Sequence, residues 1–261
     1  MQDTAALALK SALRAGKPAV GSYVTLPAPG VAEVMALAGF DFLVLDMEHG
    51  PLGIESVENL ARASQLVGVP PIVRVRDSQP ASILGALDIG AAGVQVPLVN
   101  TAEEAQRVVQ AAKYHPEGNR GLAFGRSARY GALQPSNYFA RANAETIVVV
   151  HCETMEAVHN LPEILAVQGL DVVYVGPYDL SQSLGAPGQV SLPDVQAAVN
   201  DALDTILAAG VTAGSHALSP AHARLLIQKG VRYVTLGVDF LYLLNTCRND
   251  LVDARRPEGE R

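Results

Sequence analysis

Eight short runs, most of them rich in β-branched residues, recur along the chain, with stretches of helical character between them. This alternation constrains the fold more than any other feature. The runs fall at residues 19–25, 42–45, 72–75, 93–96, 147–151, 172–175, 212–215 and 233–236. Short apolar runs bounded by turn residues read as strands covered on both faces, as in a parallel sheet. Helices are expected at 30–38, 54–66, 80–89, 102–112, 192–209 and 220–229. Several of them stop at a glycine, such as Gly39, Gly68 or Gly230, the residue that takes the left-handed position after a helix without a Cβ penalty. Strict βα alternation implies a parallel sheet, and eight units imply closure into a (β/α)8 TIM barrel. An open doubly wound sheet is the alternative, favoured by a GxGxxG turn after the first strand. That turn is absent.

The chain has 261 residues, the size of one such barrel, and no composition break marks a linker, so a single domain over 1–261 is expected. With 49% hydrophobic and 17% charged residues it can fill a large core and shows no sign of disorder. A net charge of -7 argues against nucleic acid or an anionic membrane as partner, while a local cationic pocket for small anions stays compatible with it. The two cysteines, Cys152 and Cys247, suggest no disulfide framework. Residues 1–15 read as an amphipathic helix whose apolar part is too short for a signal peptide. Together these features read as a soluble cytoplasmic protein. The connection 115–138 is long and rich in Gly and Arg, a length that is often functional, and 255–261 reads as a frayed tail.

In a barrel the active site lies at the C-terminal ends of the strands, and there this chain is not ordinary loop. The second run leads into Asp46-Met47-Glu48-His49-Gly50-Pro51. A carboxylate three residues before a His can fix the ring's tautomer and raise its basicity, as a general base requires. By itself the motif reads equally well as a solvated loop. The third run ends in Arg74, followed by Arg76 and Asp77; the fourth supplies Gln95, and the fifth His151 and Glu153. The sixth runs into Gly176-Pro177-Tyr178-Asp179, the seventh into His216 and the eighth into Asp239. Solvation does not readily explain such a set at nearly every strand end.

Glu153 and Asp179 follow adjacent strands and form an oxygen-ligand pair suited to Mg2+ or Mn2+, with helix capping as the competing role. If Glu153 points inward, so does His151, and Cys152 packs in the outer layer. Arg74 is placed to stabilise a developing oxyanion, or to pair with Asp46 or Glu48. The backbone amides of Tyr178 and Asp179 offer a carboxylate site; Pro177 has no N–H. Lys10, Lys17, Lys113 and Lys229 fall on helices or outer loops, which argues against Schiff-base chemistry.

These motifs resemble those of the HpcH/HpaI family of metal-dependent class II pyruvate aldolases, from about Gly21 to Asp239. The resemblance is carried by Asp41 to Pro51, Pro71 to Arg74, Val96 to Ala105, Tyr114 to Gly121, Glu153 to Leu161 and Val175 to Ser181. It implies a barrel that assembles as a homo-oligomer, a trimer or hexamer, exchanging its C-terminal helix between neighbours. It also implies a divalent cation (Mg2+, Mn2+ or Co2+) held by Glu153 and Asp179, and an Asp46–His49 base dyad. Arg74 would face the carbonyl oxygen of the 2-oxo acid, and the amides after Pro177 its carboxylate. Three positions depart from the family's usual pattern: Val75 where Pro is frequent, His151 where Gln is frequent, and His216 where an aliphatic residue is common.

The implied activity is reversible cleavage of a 4-hydroxy-2-oxo acid into pyruvate or hydroxypyruvate and an aldehyde, through a metal-stabilised enolate. Two readings compete with it. A CoA-thioester lyase of the malyl- or citryl-CoA type would call for a longer basic surface than Arg120, Arg126 and Arg129 provide. A non-catalytic barrel that binds 2-oxo acids would have no need of a base dyad.

Overall fold

Eight parallel strands close on themselves in sequence order. They are β1 (Ala19–Val24), β2 (Phe42–Asp46), β3 (Pro71–Arg74), β4 (Gly93–Val96), β5 (Ile147–Cys152), β6 (Val172–Val175), β7 (Thr212–Ala217) and β8 (Tyr233–Val238). The closing pair β1–β8 leaves no free edge, so the expected (β/α)8 barrel forms and the open sheet does not. The computed structural model describes residues 4–132 and 135–256, so from 257 onward the expected frayed tail lies outside the described residues.

Side-chain alternation sorts the strands into two apolar layers. Phe42, Val44, Ile72, Val149, Tyr174 and Tyr233 fill the barrel interior. Leu43, Leu45, Val73, Val148, Val150 and Cys152 face the helices instead. Phe42 stacks on Tyr233 with ring centroids 4.2 Å apart. A side chain on Gly21 would run into the Phe42 ring, so glycine there makes the stack possible. Several strands run further toward the mouth than the apolar runs indicate. β2 includes Asp46 and β7 includes Ala217, because the parallel ladder continues as long as neighbouring backbones stay paired.

The other end of the barrel is plugged. Leu9 and Leu13 of the first helix, Ala5–Arg14, join the interior cluster. Lys10 is buried there, 2.7 Å from the Thr146 carbonyl and 2.9 Å from Asp171. Lys113 is buried beside it and donates to the carbonyls of Asn143 and Thr146 at 2.6 and 2.9 Å. These two lysines are therefore not on the outside, as their helical sequence context suggested. They lie near the N-terminal ends of β5 and β6, away from the mouth.

The connection after Tyr114 is shorter than the sequence suggests. It holds a 3-10 turn at Arg126–Gly131 and a helix at Pro135–Glu145, where a loop was expected. Phe139 on that helix packs edge-on against Tyr114 at 4.8 Å, a contact that no local pattern announces. The last helix, Asp239–Ala254, leaves the barrel with only Asp239 buried. Leu241, Leu243, Leu244, Leu251 and Val252 are exposed on it. Among the described residues, no helix is long and apolar enough to cross a membrane.

Candidate active site

Asp46 and Arg74 end adjacent strands and sit opposite each other in register. The guanidinium grips both carboxylate oxygens, Nε to Oδ1 at 2.8 Å and a terminal nitrogen to Oδ2 at 2.6 Å. Two parallel charge-assisted bonds fix the guanidinium plane as well as its position. Arg74 also reaches Glu48 at 3.1 Å and lies 4.6 Å from the centre of the Tyr23 ring. Burial disfavours its charge, but Tyr23, Asp46 and Glu48 outweigh that and raise its pKa, so the cation persists.

The turn after β2 is built on Asp46, whose Oδ1 accepts the backbone N–H groups of Glu48 (3.1 Å) and His49 (3.3 Å). Arg76 holds the far side through the carbonyls of Met47 (2.9 Å) and Leu52 (3.1 Å). The segment is thus a pinned turn, not a solvated loop. Asp46 meets the backbone of His49, not its ring as the dyad reading expects, because the Arg74 fork takes up both Asp46 oxygens. The carboxylate beside the His49 ring is that of Glu48, 3.7 Å from Nε2. The imidazole stands at the rim with its side chain 61% exposed.

Across the mouth, Glu153 and His151 share the inward face of β5 and its extension. Glu153 accepts the Leu98 N–H at 2.8 Å and lies 2.7 Å from His151 Nδ1. Leu98 has a φ of 52, a conformation unfavourable for a residue with a side chain, which aims its N–H at the carboxylate. Burial alone would raise the Glu153 pKa; the His151 ring, the Leu98 N–H and Arg74 outweigh it and hold the carboxyl below its ordinary value. Capping is not its task, since Thr154 caps the next helix by accepting the Ala157 N–H at 3.0 Å.

Asp179 lies in the first turn of the helix Pro177–Ser183. Burial and then the Glu153 charge push its pKa up. Two carboxylates that oppose each other in a largely buried mouth form a donor set that a cation would relieve. Among the described residues no third His, Cys, Asp or Glu joins them in a metal-holding group. Such an all-oxygen pair fits Mg2+ or a similar hard ion, which keeps its other positions for water and substrate. A Cβ on Gly176 would come 2.7 Å from Glu153 Oε2, so only glycine lets the β6 end approach this carboxylate.

A cavity of about 320 Å3 opens between these groups. Of the strand-end residues it brings together Asp46, His49, Arg74, His151, Glu153, Gly176, Pro177, Tyr178, Asp179 and His216, while Glu48, Arg76, Asp77, Gln95 and Asp239 do not line it. It is also lined by Tyr23, Thr25 and Tyr174, which the sequence reading passed over. Their signal was a hydroxyl-bearing side chain on the inward face of an otherwise apolar strand. His216 closes the β7 side, with Nδ1 3.0 Å from Thr235 Oγ1. Burial, with Arg74 and His222 nearby, lowers its pKa to about 4, so the ring is neutral at physiological pH. Cys152 is buried outside the cavity and its thiol is pushed up to about 12 by burial and by Glu153, which leaves it no nucleophilic role.

An arginine locked to a carboxylate, two converging carboxylates and a rim imidazole at the mouth of a closed barrel define an enzyme of the (β/α)8 class equipped for oxyanion and proton-transfer chemistry. The chain belongs to the HpcH/HpaI aldolase/citrate lyase family, whose model matches residues 19–246. It is 39% identical to a hydroxypyruvate/pyruvate aldolase of Cupriavidus necator, over 92% of this chain and 89% of that one. A 2-keto-3-deoxy-L-rhamnonate aldolase of Klebsiella pneumoniae is 38% identical, covering 88% of this chain and 86% of its own. The crystal structure of an HpcH/HpaI aldolase/citrate lyase family protein from Burkholderia cenocepacia superposes with a TM-score of 0.91 at 34% identity, covering 95% of this chain and 99% of that one. The named relatives are aldolases, and the chain is a carbon–carbon lyase.

Proposed function

We propose that the enzyme is a class II aldolase that reversibly cleaves a 4-hydroxy-2-oxo acid into an aldehyde and pyruvate or hydroxypyruvate, with a divalent cation held by Glu153 and Asp179. The observation that carries this reading is the placement of two mutually repelling carboxylates and the Arg74 cation around one small cavity. A bound cation there would supply Lewis-acid polarisation of the 2-oxo group. The chain's own residues do the rest. The first-turn amides of Tyr178 and Asp179 have no acceptor within their helix and are free to take the substrate carboxylate.

In the cleavage direction a base removes the proton of the C4 hydroxyl, the C3–C4 bond breaks, and the aldehyde departs. The electron pair passes through C3 to the C2 oxygen, where Arg74 meets the growing negative charge. His49, at the rim beside Glu48, exchanges the proton with solvent and returns it to C3. Asp46 acts through Arg74 and the backbone of the turn, as a positioning residue.

The exposed apolar side chains of the helix Asp239–Ala254 support assembly into a homo-oligomer through exchange of that helix. Of the three arginines open to the thioester-lyase reading, two are already engaged. Arg120 is buried against Asp88 at 2.7 Å, and Arg126 is tied to the Ile89 carbonyl at 2.6 Å.

Removing the cation with a chelator, and separately replacing Glu153→Gln, should each lower aldol cleavage by roughly 100-fold or more. Full activity in both preparations would exclude the metal role. His49→Ala should abolish deuterium exchange at C3 of pyruvate, while unchanged exchange would assign that proton transfer elsewhere.

A further inference from the structure

A continuous string of side-chain hydrogen bonds crosses the barrel interior from Glu153 to His216, and its direction can be read. A carboxylate only accepts, so the short contact between Glu153 Oε2 and His151 Nδ1 (2.7 Å) places the proton on Nδ1. The neutral ring then accepts at Nε2, 2.7 Å from Gln95 Nε2. Tyr233 fixes the same amide orientation by donating to Gln95 Oε1 at 2.9 Å. The second Gln95 N–H reaches the Tyr23 hydroxyl at 3.0 Å, and Tyr23 donates onward to Tyr174 at 3.2 Å.

Each hydroxyl has one hydrogen, so one that accepts from behind donates ahead. Tyr174 thus donates to Thr235 Oγ1 at 2.6 Å, and Thr235 to His216 Nδ1 at 3.0 Å. The links are sealed from water: Gln95, His151, Tyr174 and Thr235 are at most 2% exposed. His216 is left with its hydrogen on Nε2, on a ring that lines the cavity.

The planar C2 of a 2-oxo acid has three substituents about 120° apart. With its carboxylate at the helix after β6 and its oxygen toward Arg74 on β3, its C3 is turned to the sector of β7, β8 and β1. That sector presents His216, Val238, Tyr23 and Thr25. The Tyr23 hydroxyl is committed to Tyr174, and that of Thr25 to Asp239 at 2.8 Å. The His216 Nε2–H is the side-chain donor left there. We propose that His216 is a specificity residue whose Nε2–H, aimed by this string, donates a hydrogen bond to a hydroxyl on C3, so that the enzyme prefers a 3-hydroxy-2-oxo acid such as hydroxypyruvate to pyruvate. The inference rests on the aldolase reading above and names the donor substrate within it.

The test compares kcat/KM for hydroxypyruvate and pyruvate with one common aldehyde in the Mg2+-loaded enzyme. His216→Leu should move the hydroxypyruvate/pyruvate ratio toward pyruvate by roughly 10-fold, the worth of one good hydrogen bond. His216→Gln, which offers an amide N–H near the position of Nε2, should restore most of the preference. Thr235→Val, which releases the tautomer without removing the ring, should give an intermediate shift. Ring 15N spectra of the wild type should show the Nε2–H tautomer. An unchanged ratio in His216→Leu, or a ring protonated on Nδ1, overturns the inference and leaves the aldolase reading standing. A wild type that turns over neither donor overturns that reading, and this one with it.

Discussion

Arg74 illustrates how one side chain serves both architecture and chemistry. Its fork neutralises the buried Asp46, its other terminal nitrogen reaches Glu48, and the side chain lines the cavity where negative charge develops. Arg74→Ala should therefore fail in two measurable ways. Turnover should fall by about 10²–10³ if the arginine stabilises the oxyanion. Urea unfolding should show a loss of roughly 3–5 kcal/mol, because Asp46 is left as a buried, unpaired charge. The double variant Arg74→Ala with Asp46→Asn should recover much of the stability and none of the turnover. The sequence places Arg74 and Asp46 at strand ends, and it leaves open whether the arginine pairs or catalyses. The register Asp46 opposite Arg74 settles the pairing, and the cavity beside it makes room for the second role.

Among the elements, the plug at the far end of the barrel makes its own prediction. Burial, and the neighbouring Lys10, lower the Lys113 pKa to about 7 from 10.5. Between these values the unfolded chain binds more protons than the folded one, so stability rises with pH across that window and is lowest below it. Thermal unfolding followed from pH 7 to 10 should show this rise, and Lys113→Met should flatten it. An unaltered slope would mean that the lysine titrates normally. That Lys113 is interior was not legible, because it follows an amphipathic helix whose pattern says nothing of what the helix end meets. The helix Pro135–Glu145 escaped for a similar reason, since Tyr138 and Phe139 gain their partners from Tyr114, far back in the chain. By contrast the β2 and β5 strands were legible, their inward and outward residues sorted by simple alternation.

At the scale of the whole molecule, the helix Asp239–Ala254 is unfinished business for a single chain. A helix that exposes Leu243, Leu251 and Val252 gains little from folding alone in water. Replacing Leu243→Glu and Leu251→Glu together should reduce the particle mass measured by light scattering while leaving the barrel folded. An unchanged mass would exclude this helix as a contact between subunits. The sequence by itself determined the barrel, the order of its strands and which charged side chains follow them. Each of these follows from local periodicity together with the fixed topology of βα units. Only the tertiary structure decided which side chain meets which. Asp46 goes to Arg74 and to the turn backbone, Glu48 stands beside His49, and His151 is bonded to Glu153 and Gln95. The string that ends on His216 joins residues as far as 151 positions apart, as Tyr23 and Tyr174 are. Such contacts are set by barrel closure and strand register, and the period of a single strand carries no information about either.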